Sequence, residues 1–170
     1  MNKELYLSHK AVDFWADFSF VDFDNGYLDS MTEPMAHALS AMQDLENGSI
    51  ANPDENRMVG HYWLRNPSLA PKPELAKAIQ ETLEKVKRIT NSVHSGELCT
   101  EAGAFTHLLV IGIGGSALGP QFVGKALGSP ADDKLKVHFF DNTDPDGIDL
   151  TLQEIGPALS TTLVLVISKS

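Results

Sequence analysis

Residues 108–120 read LLVIGIGGSALGP. The apolar run Leu108–Ile111 passes into Gly112, Gly114 and Gly115, with Ser116 directly after them. Four apolar residues without polar alternation suit a strand buried on both faces, and the glycines let the chain turn sharply behind it. Two similar runs follow, KLKVHFFD from Lys134 and TTLVLVIS from Thr161. The intervening segments are long enough for helices at about 116–127 and 145–155. Gly128-Ser129-Pro130 would end the first helix and Asp144-Pro145 would open the second. Apolar strands alternating with helices predict an α/β fold: a parallel sheet, covered on both faces and joined by right-handed crossovers.

Residues 1–100 follow another pattern and read as a helical N-terminal segment, set apart from the α/β part at 101–170. Met35, Leu39, Met42 and Leu45 recur at helical spacing until Asn47-Gly48 stops the run. Asn52-Pro53-Asp54-Glu55 has the form of a helix start, with a capping side chain, a first-turn proline and a capping-box acid. That helix would carry NRMVGHYWLR, residues 56–65, and end near Asn66-Pro67. A third helix is expected after Pro73, with Leu75, Ile79, Leu83, Val86 and Ile89 along one face. The stretch DFWADFSFVDFDNGY, residues 13–27, alternates acids with aromatics, and packing explains it better than a metal site does.

Composition narrows the function. A net charge of −10 argues against a nucleic-acid partner, which would need clustered Lys and Arg. It leaves an anionic small molecule open, because a local site can differ in sign from the whole chain. Cys99 is the single cysteine, so no intramolecular disulfide can form, and with no activating neighbour in sequence it reads as inert. The opening MNKELYLSHK has no continuous apolar stretch, and no run approaches the roughly 20 apolar residues that span a bilayer. A cytoplasmic protein with no membrane partner is the expectation.

At the carboxyl end of a parallel strand, a glycine turn into a helix makes a phosphate cradle. Backbone can approach the ligand closely, and the N–H groups of the first helical turn favour an anion. Ser168-Lys169-Ser170 follows the third strand and would reach the same sheet edge with hydroxyl donors and a cation. Two loops would then converge on one anion. A competing reading exists. Gly112-x-Gly114-x-x-Ala117 also satisfies a dinucleotide fingerprint, and Asp141 stands where a ribose-binding acid would, implying a nicotinamide-dependent oxidoreductase. That reading leaves the serines unexplained and ranks second. A non-catalytic sugar-phosphate-binding regulator is a third possibility, by fold analogy alone.

The stretch VIGIGGSALGP, residues 110–120, closely resembles the signature of the glucose-6-phosphate isomerase (phosphoglucose isomerase) family. ISKS, residues 167–170, resembles the start of its second signature; NRMVGHYWLR and FFDNTDPDG, residues 139–147, resemble further segments in the family's order. The resemblance implies the first half of a sugar isomerase (SIS) domain and interconversion of glucose 6-phosphate and fructose 6-phosphate, in glycolysis and gluconeogenesis, without a cofactor. It implies that Gly115, Ser116, Ser168, Lys169 and Ser170 contact the sugar phosphate, and that the full-length enzyme is a homodimer. The catalytic Glu and ring-opening His of the family are expected beyond residue 170, so these residues read as an N-terminal fragment, inactive alone. His61 and Arg65 match a family motif, but packing or a subunit contact is their simpler role. His138, inside an apolar strand, is expected to be a satisfied core residue.

Overall fold

The computed structural model describes residues 5–169, and the chain divides into two compact units, Met1–Gln80 and Glu81–Ser170. In the first unit β1 (Tyr6–His9) and β2 (Phe14–Asp17) form an antiparallel hairpin. Asp13 closes it in the left-handed conformation, at φ 52°. The aromatics expected to pack here are exposed: Phe14 and Trp15 at about half their surface, and Phe20 at 93%. A two-stranded ribbon has no second layer against which to bury its faces.

A short helix, α1 (Tyr27–Ser30), leads into α2 (Thr32–Glu46), close to the predicted span. The helix expected from Asn52 does not form. Instead β3 (Ile50–Asn52) and β4 (Arg57–Met58) make a second small hairpin, and only α3 (His61–Arg65) is helical. The reason is local. Asn52 Oδ1 accepts the Glu55 N–H at 3.1 Å, as a helix cap would, but Asn56 then takes φ 51° and reverses the chain. The same Asx interaction that starts helices also starts turns. Trp63 on α3 is the buried anchor of this unit, 4% exposed, and its indole N–H donates to the Glu46 carbonyl at 3.0 Å.

The long helix α4 (Pro73–Ser95) begins where predicted. Its apolar stripe is exposed at Leu83, Val86 and Ile89, whereas Val93, nearer its end, is buried. A minimal hairpin of β5 (Cys99–Thr100) and β6 (Gly103–Ala104) follows.

The remaining elements are β7 (His107–Ile111), α5 (Gly115–Leu127), β8 (Lys136–Phe140), α6 (Pro145–Ile155) and β9 (Thr162–Val166). All three strands are parallel, in the order β8-β7-β9. In register, Leu109 pairs with His138 on one side and Val164 on the other, and Val110 pairs with Phe139 and Leu165. Because the chain leaves β7 for one edge and then crosses to the other, crossovers of the same hand put α5 and α6 on opposite faces. Side chains agree with this. Glu154 of α6 reaches Lys136 and His138 on one face, while α5 borders a hollow with Leu108, Val137 and Phe139 on the other. Burial of Leu109, Val110, Ala117 and Ile155, each 3% exposed or less, centres the core on β7. The expectation of covered faces holds there and fails at β9, where Val164, Leu165 and Val166 are exposed on alternate sides.

Asp144 opens α6 as predicted, its carboxylate accepting the Gly147 N–H at 3.0 Å, with Pro145 at the first position. Gly128 ends α5 in an extended conformation, its N–H donating to the Gly124 carbonyl.

Candidate functional site

All three parallel strands direct their carboxyl ends toward one cleft of about 780 Å³. Gly112, Gly115 and Ser116 line it from the β7–α5 turn, Asn142 and Thr143 from the end of β8, and Ser168 and Lys169 from the end of β9. Ligands of open parallel sheets bind at such an edge. Because β7 lies between β8 and β9, the two loops singled out in sequence are neighbours in space. Ser170 lies outside the described residues.

The glycines of the turn have separate duties. A Cβ on Gly112 would stand 2.8 Å from Ser116 Cβ and 3.0 Å from the Ile167 carbonyl oxygen, so this glycine lets β7, α5 and the chain leaving β9 pack together. Gly114, at φ 58° and ψ −124°, supplies a backbone conformation that side chains oppose. Gly115 is different. A Cβ there would meet nothing within 4 Å, so packing among the described residues does not require glycine at this position.

The cleft's electrostatics oppose those of the whole chain. Among the described residues that line it there is no carboxylate, and Lys169 is its charged side chain, although the chain carries a net charge of −10. Gly115 and Ser116 open α5 at the positive end of the helix dipole, although the Ser116, Ala117 and Leu118 N–H groups already donate to the Ile113 and Gly114 carbonyls. Hydroxyls, a helix N-terminus and one ammonium are the donor set of a phosphate site.

Asp141, the candidate ribose acid, does not line this cleft. Its carboxylate is engaged: Oδ2 accepts from Gln121 Nε2 at 2.7 Å and Oδ1 from Asn142 Nδ2 at 2.9 Å. Ala117, the last position of the dinucleotide fingerprint, is 1% exposed and packs in the core. Strand–helix packing accounts for Ala117, and hydrogen bonds to Gln121 and Asn142 occupy Asp141.

The match of the whole chain decides the family. The phosphoglucose isomerase family profile covers residues 17–170. The chain belongs to this family. A glucose-6-phosphate isomerase of Geobacter sp. (strain M21) is 52% identical over 169 residues, which are 99% of this chain and 32% of that protein. Glucose-6-phosphate isomerases of Synechococcus elongatus and Nostoc punctiforme are 53% and 50% identical, over 94% and 95% of this chain. The chain spans about a third of the length of these curated relatives, at 30–32%.

Other residues singled out in sequence lie elsewhere. His61 and Arg65 stand exposed on α3 in the first unit, and Cys99 is an exposed free thiol. His138 is buried as expected, 4% exposed, yet it is not fully satisfied: its Nε2 has no partner among the described residues. Its ring stacks on His107 with centroids 5.3 Å apart, and Nδ1 lies 3.7 Å from Glu154 Oε2. Burial lowers the His138 pKa below its ordinary 6.5; the Glu154 charge opposes this, and Lys136 and His107 add to it. Glu154 in turn is held below the usual carboxylate range by the hydrogen bond and charge of Lys136. Asn142 and Thr143 received no role from sequence, although polar residues directly after a parallel strand, ahead of the Asp144 cap, carry the signal that could have found them.

Proposed function

We propose that the full-length protein interconverts glucose 6-phosphate and fructose 6-phosphate, and that Gly115, Ser116, Ser168, Lys169 and Ser170 hold the phosphate of both sugars. One observation carries this reading: in a chain of this family, the glycine turn and the Ser-Lys segment, about fifty residues apart, border one cleft that has no carboxylate among its described lining residues. Residues 1–100 are then the helical N-terminal segment and residues 101–170 the opening of the phosphosugar-binding domain. The reading carries with it a cytoplasmic homodimer, as the family resemblance implies. Among the described residues no helix is long and apolar enough to cross a membrane.

The division of labour follows from the lining. Aldose–ketose isomerisation through an enediol needs a base to move a proton between neighbouring carbons. Among the described residues lining the cleft there is neither carboxylate nor imidazole. The cleft therefore anchors the phosphate, and a base outside that lining acts on the carbons. Binding energy from the non-reacting phosphate orients the sugar for that base.

Ser116→Ala and Ser168→Ala in the full-length protein test the cradle. A hydrogen bond to a charged group contributes about 1.5–3 kcal/mol, so each variant should lose from about tenfold to somewhat over a hundredfold in affinity for glucose 6-phosphate. Calorimetric titration, with an unphosphorylated sugar as control, reads the change. Wild-type affinity in both variants would remove these serines from the site.

A further inference from the structure

The wall of the cleft facing the glycine turn is held by a chain of side-chain hydrogen bonds that begins on the helix that carries the turn. Gln121 lies on α5, five residues after Ser116. Its Nε2 donates to Asp141 Oδ2 at 2.7 Å, and Asp141 Oδ1 accepts from Asn142 Nδ2 at 2.9 Å. Asn142 Oδ1 then accepts the Asp144 backbone N–H at 2.8 Å, and Asp144 caps α6 through Gly147. Each link constrains the next. A carboxylate only accepts, so Asn142 must turn its NH2 toward Asp141, and its oxygen is left for the Asp144 N–H. One Asn142 N–H is committed to Asp141, and the other remains a donor on a residue that lines the cleft.

We infer that Asp141 is a positioning residue for the phosphosugar site: it ties α5 to the β8–α6 loop and so sets Asn142 and Thr143 against Gly115 and Ser116. This rests on the function proposed above and adds to it a residue that touches no substrate. The arrangement also suits the cleft's sign. Asp141 is next to two lining residues, Phe140 and Asn142, yet its charge is held outside by two donors rather than presented to an anion. These bonds are exposed, so each is of ordinary strength, and their effect on binding is modest.

The polarity of the Gln121–Asp141 bond gives a selective test. Gln121→Glu sets two carboxylates where one bond of 2.7 Å now stands and should splay the wall. Adding Asp141→Asn restores one carboxylate and one amide, now in reverse order, with the wild-type net charge. In the full-length protein, Gln121→Glu and Asp141→Ala should raise KM for glucose 6-phosphate about twofold to tenfold, with kcat unchanged. The double variant should return toward wild type. Amide hydrogen exchange at Asp144 and Gly147 provides a second readout that needs no ligand: faster in both single variants, and slowed again in the double. Failure of the double to rescue exchange would overturn the positioning role. Rescue of exchange with no response of KM in either single variant would confine the network to structure and also overturn it. If the wild type and the Ser116→Ala variant bind the phosphosugar alike, the cradle reading fails instead, and the exchange data alone decide whether Asp141 sets the loop.

Discussion

Gly112 and Gly115 are three residues apart in one motif, and the structure assigns them different consequences when alanine replaces each. At Gly112 the added methyl would come within 2.8 Å of Ser116 Cβ and 3.0 Å of the Ile167 oxygen. Neither neighbour can move freely. Ser116 Cβ is fixed by the first turn of α5, and Ile167 is tied to β7 by its N–H to the Ile111 carbonyl at 2.8 Å. Carbon atoms pack at about 3.5–4.0 Å, so relief takes about an ångström of separation between α5 and the strand ends. Overpacking of this kind costs about 1–3 kcal/mol. At Gly115 the methyl meets open space, and φ there is not in the left-handed range, so stability should change by less than about 0.5 kcal/mol. Binding should order them differently. Gly115→Ala fills room proposed for the phosphate and should weaken glucose 6-phosphate binding while the protein stays folded. Urea unfolding followed by native-state proteolysis, alongside calorimetric titration, separates the two effects. Equal stability loss in both variants, or a Gly112→Ala protein as stable as wild type, would refute the division of duties within this turn.

Two further outcomes follow from buried groups. Because burial lowers the His138 pKa below 6.5, the unfolded chain takes up this proton first as pH falls. The stability it contributes is complete above about pH 6.5 and declines below, at no more than about 1.4 kcal/mol per pH unit. Glu154, also lowered, adds a second loss only as pH falls below its ordinary 4.5. His138→Leu should flatten the limb nearer neutrality and leave the lower one, as measured by urea midpoints against pH; an unchanged profile would exclude His138 as its source. In the first unit, Trp63→Phe removes the indole donor to Glu46 while keeping most of the apolar bulk. It should cost about 0.5–1.5 kcal/mol, against about 3–5 kcal/mol for Trp63→Ala, and equal losses would show that the hydrogen bond is not a separate contribution.

How much of this was legible depended on whether a segment's structure is decided locally. Leu108–Ile111, Val137–Phe140 (with His138) and Leu163–Val166 are near-continuous apolar runs, and together with the helix-length segments and cap residues between them they point to parallel pairing. The strand order β8-β7-β9 does not follow from them, because nothing in three similar apolar runs says which is central. Burial shows what sequence could not: β7 is covered by α5 and α6, while equally apolar β9 leaves Val166 65% exposed. The N-terminal error has the same root. Asn52 makes the hydrogen bond expected of a cap, and the backbone of Asn56, four residues on, decides between helix and hairpin.

The site shows the complementary limit. The Gly-Gly-Ser turn and Ser-Lys were recognisable because their chemistry is written in adjacent residues, and the fold needed only to bring two strand ends together. Asp141 was noticed for the wrong partner. A lone carboxylate after a strand fits a ribose hydroxyl as well as an amide, and only the position of Gln121, twenty residues earlier, distinguishes them. Gln121 carries no signal of its own on a helix whose other residues look like packing. The same reasoning explains why one motif could be read two ways. Gly112, Gly114 and Ala117 answer the needs of a strand turning into a helix, which dinucleotide and phosphate sites share. Gly115 and Ser116, the residues not required by that turn, are where the two readings diverge, and a cleft whose described lining has hydroxyls, Lys169 and no carboxylate favours the phosphate.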